Sequence, residues 1–477
     1  MAFFKNHITP ELLANEPVWK LLLRFSLPAI IATSATSLYN LTDSIFIGRG
    51  VGPMAMAGLG VALPIMNIVS AFGSMVGVGA AALFSLRLGR SKHEADEVLS
   101  NVVLLNFIIA VLVALVGLFL MEPLLRVFGA SNDVIVEGVV VSQGSLGYAK
   151  IYLRILLFGN LITNMYLSLN ELLRVSGYPH KAMFIMLSSV LLNGVLDGLF
   201  IFVFKWGIAG SACSTIVSQA IALLVVLSHF AKKTSFVHFT STDFGIQRRT
   251  VGAILRIGSA SFLLHFCTSI VVFFVNRALA PFGDLYIGAY SVVNRMVMLF
   301  IMIVAGLNQG MQPIVGYNYG AKNYQRVLSA LKLTMLCAFA VMSAGCVLGV
   351  CLPEYIAALF VDIDSTDGKN LVQTACFFEI IVNAVRIVFV AFPLVGCQIV
   401  ISNFFQYIGK SYLSMFLSLT RQLLFLIPLL LILPNYFASR GVWMSIPIAD
   451  GTASVLAIVV LLCFLFRMEK NKKAELQ

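Results

Sequence analysis

The sequence predicts an all-α integral membrane protein with 12 transmembrane helices, arranged as two pseudo-symmetric six-helix bundles around a central cleft. Of its 477 residues, 60% are hydrophobic and only 11% are charged, whereas a soluble domain carries about 25% charged residues. Twelve apolar stretches are long enough to cross a bilayer, which takes about 20 residues. The last six stretches repeat motifs of the first six. Together these observations predict a two-bundle membrane protein.

The apolar stretches follow one another with short polar breaks. Several are longer than one crossing needs, which indicates tilted or kinked helices, or helix ends that project into water. In chain order the predicted crossings are 20–47, 54–84, 97–121, 147–173, 181–204, 207–230, 251–281, 286–316, 326–352, 371–407, 412–433 and 442–466.

The internal repeat rests on glycine-containing motifs at the ends of equivalent crossings. Gly89 aligns with Gly320 and Gly177 with Gly409, and the separation along the chain is nearly the same for the two pairs. Two six-helix halves that run in the same direction indicate a parallel repeat about an axis along the membrane normal. We therefore predict an N-terminal bundle over 1–231, an inter-bundle loop over 232–249, and a C-terminal bundle over 250–477 that ends in a short basic tail.

Lys and Arg residues orient the predicted helices. With the N-terminus inside, cytoplasmic segments hold about three times as many of them as outer segments do. The positive-inside rule thus places both termini and the 232–249 loop in the cytoplasm. The number of crossings is then even, in agreement with the twelve apolar stretches.

Composition also excludes two classes of function. The net charge of +11 is spread over short loops, so no basic soluble domain exists to bind nucleic acid. The six histidines and eight cysteines show neither a nucleophile–base arrangement nor the spacing of metal ligands. We expect no enzymatic activity, no resident metal and no cofactor.

Two carboxylates lie inside apolar stretches of the first half, Asp43 and Asp197. An ionised side chain within a bilayer costs several kcal/mol unless it faces a partner or a wet cavity. Such residues usually serve ion or proton coupling. The alternative is that both acids only hydrogen-bond to neighbours and fix helix packing.

Sequence distance places further polar residues at the depth of these acids. At about 1.5 Å per residue, Asp43, Asp197 and Thr215 lie about 9, 12 and 13 Å from the predicted outer ends of their helices. Tyr39 and Asn193 each precede an acid by four residues and share its helix face. These residues, on three helices, predict one polar pocket that can bind a proton on a desolvated carboxyl group or a Na⁺ ion.

Pro28 lies inside the first predicted crossing, where its missing N–H favours a kink. The kink is either static or a hinge whose bend changes when the neighbouring acids take up an ion.

The second half carries a different set of polar residues. Its first two crossings contain no acid, but Glu379, Asp450, Asn294 and Arg295 lie within its apolar stretches. Positive and negative side chains within these stretches are roughly equal in number, so ion pairs between them are one explanation. The alternative is a second ion or substrate site that uses Glu379 or Asp450.

Several motifs are spread over nearly the whole chain. They are Phe25-Ser-Leu-Pro28-Ala, Leu38-Tyr39-Asn40-Leu-Thr-Asp43, Asn193-Gly-Val-Leu-Asp197, Gly207-Ile-Ala-Gly210-Ser-Ala-Cys-Ser-Thr215 and Gly310-Met-Gln312-Pro313. Taken together, these motifs resemble those of the multidrug and toxic compound extrusion (MATE) family.

The resemblance implies a secondary antiporter in the plasma membrane, of the kind found in a bacterial inner membrane. Such an antiporter exports cationic amphiphilic compounds in exchange for H⁺ or Na⁺ by rocking two lobes, and we expect it to act as a monomer in the lipid bilayer. Asp43 and Asp197 would be the coupling acids, with Asn193, Thr215 and Tyr39 around them and Pro28 as hinge.

A lipid-linked precursor flippase on a related fold is the alternative function. That function favours a cleft lined by cationic residues that hold a pyrophosphate. The candidates for such a lining are Arg154, Arg295, Arg386 and Arg421.

Overall fold

A computed structural model describes residues 9–51, 53–128, 134–136, 139–142, 144–232, 237–238, 247–358 and 371–475. Most of the predicted inter-bundle loop, 232–249, lies outside these ranges. The side chain of Tyr39 also lies outside the description, although its backbone is helical.

The described chain is almost entirely helical. One pair of short antiparallel strands, β1 (Val134–Val136) and β2 (Val139–Ser142), lies between the third and fourth crossings. The helices are α1 (Pro10–Asn15), α2 (Val18–Gly50), α3 (Pro53–Leu88), α4 (Lys92–Val127), α5 (Ser145–Val175), α6 (Pro179–Gly198), α7 (Ile208–Phe230), α8 (Arg248–Leu279), α9 (Asp284–Gly320), α10 (Tyr324–Cys351), α11 (Pro353–Ala358), α12 (Leu371–Val388), α13 (Phe392–Tyr407), α14 (Ser411–Leu419) and α15 (Ile427–Glu475).

Within the described ranges, ten helical stretches are long and apolar enough to cross a membrane. Helix α5 is not among the ten, because its polar residues lower its mean hydropathy. One of the ten, Ser411–Arg467, has 57 residues and would measure more than about 80 Å if straight, far beyond a bilayer core of about 30 Å. It contains two crossings separated at Ala438, where the backbone leaves the helical region (φ 51°, ψ −137°). The predicted fold class is thereby confirmed.

Three predicted crossings are less regular than the sequence suggested. The stretch 181–204 ends in a π-helical segment, Leu199–Val203. The stretch 371–407 is broken by a 3₁₀ turn at Phe389–Ala391, and Pro393, whose ring lacks an N–H, then lies in the first turn of α13. The stretch 412–433 contains a π-helical segment, Thr420–Leu426. Such wide turns are common at functional sites.

Backbone conformation shows the internal repeat directly. The aligned glycines Gly177 and Gly409 both have positive φ (100° and 80°) in the turns that precede α6 and α14. Gly207 (φ 60°, ψ −138°) and Ala438 (φ 51°, ψ −137°), which occupy equivalent places in the two halves, share an unusual conformation. The two halves therefore turn their chains in the same way at equivalent places.

The halves pack against each other through their first two crossings. Helix α2 packs on α9 and α3 on α8. Ser26 Oγ donates to the Leu307 carbonyl (3.4 Å) and Thr33 Oγ1 to the Met302 carbonyl (3.0 Å). A Cβ atom at Gly258 would overlap the Met75 backbone. The absence of a side chain there allows the α3 and α8 backbones to approach closely.

The short helix α1 precedes the first crossing but docks on the opposite half. Leu13 is 1% exposed. Arg326, at the start of α10, donates from Nη2 to the carbonyls of Leu13 (3.1 Å) and Glu16 (2.5 Å). Asn318 also donates to the Leu13 carbonyl. The segment that leads into the N-terminal half is thus held by the C-terminal half.

Large apolar side chains cover much of the outer surface of the bundles. Phe119 is 84% exposed, and Leu191 and Val195 are about as exposed, at 70% and 69%. A soluble protein seldom presents such extended apolar surface. These faces are suited to contact lipid.

Candidate functional site

The first buried acid lies on α2 and is bonded to α7. Asp43 is 7% exposed, and its Oδ1 accepts a hydrogen bond of 2.5 Å from Ser211 Oγ. Because the two helices belong to opposite ends of the N-terminal half, this bond joins its first crossing to its sixth.

The second acid lies on α6 and is bonded to the same helix, α7. Asp197 is 1% exposed and accepts a hydrogen bond from Ser214 Oγ. One turn earlier, Asn193 Nδ2 donates to Ser214 Oγ and Thr215 Oγ1, both at 3.3 Å. The structure therefore brings Asp197, Asn193 and Thr215 together around α7, as the depth argument predicted.

A stripe of four hydroxyl side chains on α7 organises the site, and the sequence analysis identified only one of them. Ser211 and Ser214 hold the two acids, whereas Thr215 was the only member predicted. The signal was present, because Ser211, Ser214, Thr215 and Ser218 follow the spacing of one helix face in an apolar segment. Of the other predicted members, only Tyr39 lies outside the described side chains.

Two oxygen atoms of the site are buried without a hydrogen-bond donor among the described residues. They are Asp197 Oδ2 and Asn193 Oδ1. Buried polar atoms nearly always have a partner, and both atoms are acceptors. Asp43 is near enough to Asp197 for the two carboxyl groups to interact electrostatically. The arrangement suits a bound proton or a small cation.

A cavity of about 70 Å³ lies next to Asn193 and Thr215 of the acid site, and neither acid lines it. Asn193 and Thr215 line it, so it shares two residues with the acid site. Its volume admits a few water-sized groups. Its other polar lining residues are Thr36, Tyr166, Ser189, Ser218 and Gln219.

Pro28, the predicted hinge, is buried within α2, which continues on both sides of it. It lies between Ser26 and Thr33, the two residues that bond α2 to α9. The proline ring removes one backbone hydrogen bond of α2. Any bend at Pro28 therefore acts directly on the contact between the halves.

The structure does not assemble the four polar residues named in the second half into one site. Asp450 is 9% exposed and pairs with Arg421 (Nε to Oδ1, 2.9 Å). Glu379 and Arg295 are exposed and Asn294 is half-buried. No bond described in this structure joins any of these three to Asp450.

The arginines that a flippase would need are largely engaged or dispersed. Arg386 pairs with Glu354 (3.1 Å) and Arg421 with Asp450. Arg154 and Arg295 are exposed. This arrangement does not favour a pyrophosphate-binding cleft.

Twelve crossings in two equivalent halves, with buried acids in one half, define a polytopic membrane transporter. The MatE family model matches residues 28–199 and 257–432, one segment in each half. The chain belongs to the MatE family. Its members are transporters, so this protein is a transporter and not an enzyme.

The chain is similar over nearly its full length to bacterial export proteins. It is 24% identical over 458 residues to the multidrug export protein MepA of Staphylococcus haemolyticus, covering 95% of this chain and 96% of the relative. It is 25% identical over 449 residues to the MepA protein of Staphylococcus aureus, with 94% of each chain covered.

Solved structures share the fold. A multidrug resistance MATE transporter in an outward-facing conformation is 27% identical, with a TM-score of 0.86 over 96% of this chain and 98% of the other. A transporter of the MOP superfamily from Pyrococcus furiosus, described as having a binding pocket of reversed polarity that suggests a different function, is also 27% identical. Its TM-score is 0.85, over 95% of this chain and 97% of the other.

Proposed function

We propose that this protein is an ion-coupled efflux antiporter, which exports cationic amphiphilic drugs in exchange for H⁺ or Na⁺. The observation that carries the proposal is the acid site between α2, α6 and α7. Two buried carboxyl groups and two buried acceptor oxygens without donors among the described residues are a receptor for a proton or a small cation. The relatives named as multidrug exporters support drugs as the substrates.

Coupling follows from the bonds of the acid site. A proton or Na⁺ at Asp197 competes with the Ser214 hydroxyl for the same carboxyl group, and Asp43 lies close enough to respond. Asp43 is on α2, which meets the other half on both sides of Pro28. Ion binding in the N-terminal half can thus alter the contact between the halves.

The cellular arrangement is part of the proposal. Both termini are cytoplasmic and the protein resides as a monomer in a bacterial inner membrane. The halves touch at the ends of α3 and α9, which we place on the cytoplasmic side. In this arrangement the cleft is closed to the cytoplasm, so the next step is release of substrate to the outside.

The experiment that tests the function is ethidium movement in proteoliposomes under a separately imposed pH gradient or Na⁺ gradient. Transport driven by one gradient establishes antiport and identifies the ion. Transport driven by neither, in vesicles shown to contain folded protein, contradicts the proposal. Movement of a lipid-linked precursor in the same vesicles would then favour the flippase.

Two variants test the site. Asp43→Asn and Asp197→Asn should each abolish gradient-driven transport while the protein still reaches the membrane. Glu122→Gln is the matched control, because Glu122 is an exposed carboxylate paired with Lys150 and Arg126. Wild-type transport by both site variants would show that the acids do not couple.

A further inference from the structure

Arg154 lies on the face of α5 that points away from the interior of the bundle. Tyr166 and Leu167 of the same helix line the cavity of about 70 Å³ described above. With about 3.6 residues per turn, the middle of that pair lies on the opposite side of α5 from Arg154. Ile151 and Phe158 share the side of Arg154 and are 48% and 70% exposed. Arg154 is therefore set in an apolar outer face that is suited to contact lipid.

The repeat counterpart of Arg154 has an acid partner. Arg386 is at the equivalent position of the second half, because the two arginines are as far apart along the chain as Gly177 and Gly409. Arg386 pairs with Glu354 at 3.1 Å. Arg154 is exposed, and its guanidinium group forms no ion pair or hydrogen bond with any residue that the structure describes.

The acid that corresponds to Glu354 is engaged by two other cations. Glu122 of α4 is at the equivalent position, and it pairs with Lys150 Nζ at 2.7 Å and with Arg126 Nη2 at 2.9 Å. Arg154 lies one turn of α5 beyond Lys150, on the same side of the helix. Among the described residues, three cationic side chains thus share one carboxylate here, which leaves the surface with an excess of positive charge.

The apolar surroundings of Arg154 extend from α5 onto α4. A Cβ atom at Gly117 of α4 would overlap the side chain of Leu157, so the two helices are in close contact, and Phe119 of α4 is 84% exposed. Arg154 is about 13 Å along α5 from the start of that helix at Ser145. A charged group in such a surface is costly unless its long side chain reaches the headgroup region of the membrane. The counter-ion that the protein does not supply is then a lipid phosphate.

We propose that Arg154 binds the phosphate of an anionic glycerophospholipid, in the leaflet that the positive-inside rule assigns to the outside. The planar guanidinium fork matches two phosphate oxygens, and the excess positive charge around Glu122 favours an anionic headgroup over a zwitterionic one. The acyl chains lie along Phe119 and Phe158. This lipid is a bound component of the bundle surface and not a transported substrate, so the inference goes beyond the export function and does not depend on it.

The test uses the internal repeat as its control. A tryptophan four residues beyond each arginine reports on the lipid next to it: Phe158→Trp for Arg154, and Val390→Trp for Arg386. Val390 is 59% exposed, so both reporters contact lipid, and the signal of the three native tryptophans is subtracted. The full-length protein is placed in vesicles of phosphatidylcholine and phosphatidylglycerol, with one or the other lipid dibrominated. Quenching of the added fluorescence then gives the association constant of each lipid relative to the other.

We expect phosphatidylglycerol to be preferred about fivefold at the Phe158→Trp reporter and to show almost no preference at the Val390→Trp reporter. Adding Arg154→Gln to the first reporter should abolish the preference, whereas adding Arg386→Gln to the second should change nothing. Arg154→Lys keeps the charge but loses the planar fork, so it should retain about half of the preference.

Equal association constants at the two reporters, or a preference that survives Arg154→Gln, would overturn the lipid site. A preference lost as fully in Arg154→Lys as in Arg154→Gln would contradict its electrostatic basis. Millimolar inorganic phosphate, compared with chloride at the same ionic strength, separates a lipid from a free anion. The preference should be the same in both salts, and its loss in phosphate alone would assign the site to free phosphate and overturn the lipid assignment.

Discussion

Gly89 and Gly320 form a reciprocal contact across the two halves of the protein. A Cβ atom at Gly89 would overlap the Tyr317 carbonyl, and one at Gly320 would overlap the Leu86 carbonyl. Leu86 and Tyr317 each precede their glycine by the same distance along the chain, so they are equivalent positions of the repeat. The contact is therefore symmetric under the internal repeat, and it joins the ends of α3 and α9 backbone to backbone.

Gly320→Ala should open this contact. The new methyl group meets backbone atoms that cannot rotate away, and overpacking of this kind costs about 1–3 kcal/mol. We expect the ends of α3 and α9 to move apart, measured as a longer distance between spin labels on the two helices, and a lower unfolding temperature. Gly252→Ala is the control, because a Cβ there meets no atom within 4 Å. An unchanged distance distribution in Gly320→Ala would contradict the packing argument.

Ser214→Ala should uncouple transport without unfolding the protein. The variant removes the donor to Asp197 and one acceptor of Asn193, so Asp197 loses its hydrogen bond to α7. We expect a loss of about tenfold in gradient-driven ethidium transport, in line with a charge-assisted hydrogen bond of about 1.5–3 kcal/mol. Ser228→Ala, on the exposed face of the same helix, should transport normally. Equal rates for the two variants would exclude a role for Ser214.

Ala438→Gly should stabilise the protein. Ala438 has a positive φ of 51° at the place where the N-terminal half has a glycine, and a positive φ costs a residue with a side chain about 1 kcal/mol or more. Thermal unfolding in detergent should therefore shift upward. The same substitution within a regular helix, Ala344→Gly in α10, should lower stability by about 0.5–1 kcal/mol. A lower unfolding temperature for Ala438→Gly would contradict the assigned backbone.

Arg174 and Gln309 should show energetic coupling across the halves. Arg174 on α5 is 6% exposed, is paired with Glu171, and donates to Gln309 Oε1 on α9 at 2.5 Å. Gln309→Ala should cost about 1–3 kcal/mol because it leaves a buried donor without its acceptor. A double-mutant cycle with Arg174→Lys measures the coupling. Gln325→Ala, an exposed amide at the start of α10, should have no effect, and additive losses in the cycle would rule out the coupling.

The sequence predicted the architecture well because membrane insertion imposes long apolar helices, and the repeat is visible as paired motifs at a nearly constant separation. The irregular elements were less accessible. The break at Phe389–Ala391 and the π-helical segment at Thr420–Leu426 depend on local backbone bonds and packing, which no hydropathy pattern encodes. Helix α5 was predicted as the crossing 147–173 although its polar residues reduce its mean hydropathy, and its packing against α3, α4 and α7 agrees with that prediction.

The depth of the acid-site residues could be predicted from the sequence, but their hydrogen-bond partners could not. Counting residues brought Asp43, Asp197, Asn193 and Thr215 to one level of the bilayer. It could not show which hydroxyl meets which acid, because that depends on the rotation of α7 about its own axis. The pairing of Asp450 with Arg421 likewise depends on how α15 packs against the preceding π-helical segment.

The docking of α1 has a mechanical consequence. The chain runs from α1, clamped by Arg326 of one half, directly into α2 of the other, with only Glu16 and Pro17 between the two helices. Any large separation of the halves must therefore stretch this link or break the contacts of α1 with Asn318 and Arg326. A fluorophore placed next to α1, at Thr9, would report each separation as a change in environment. A bulky fusion at the amino terminus, which hinders movement of α1, should therefore slow transport.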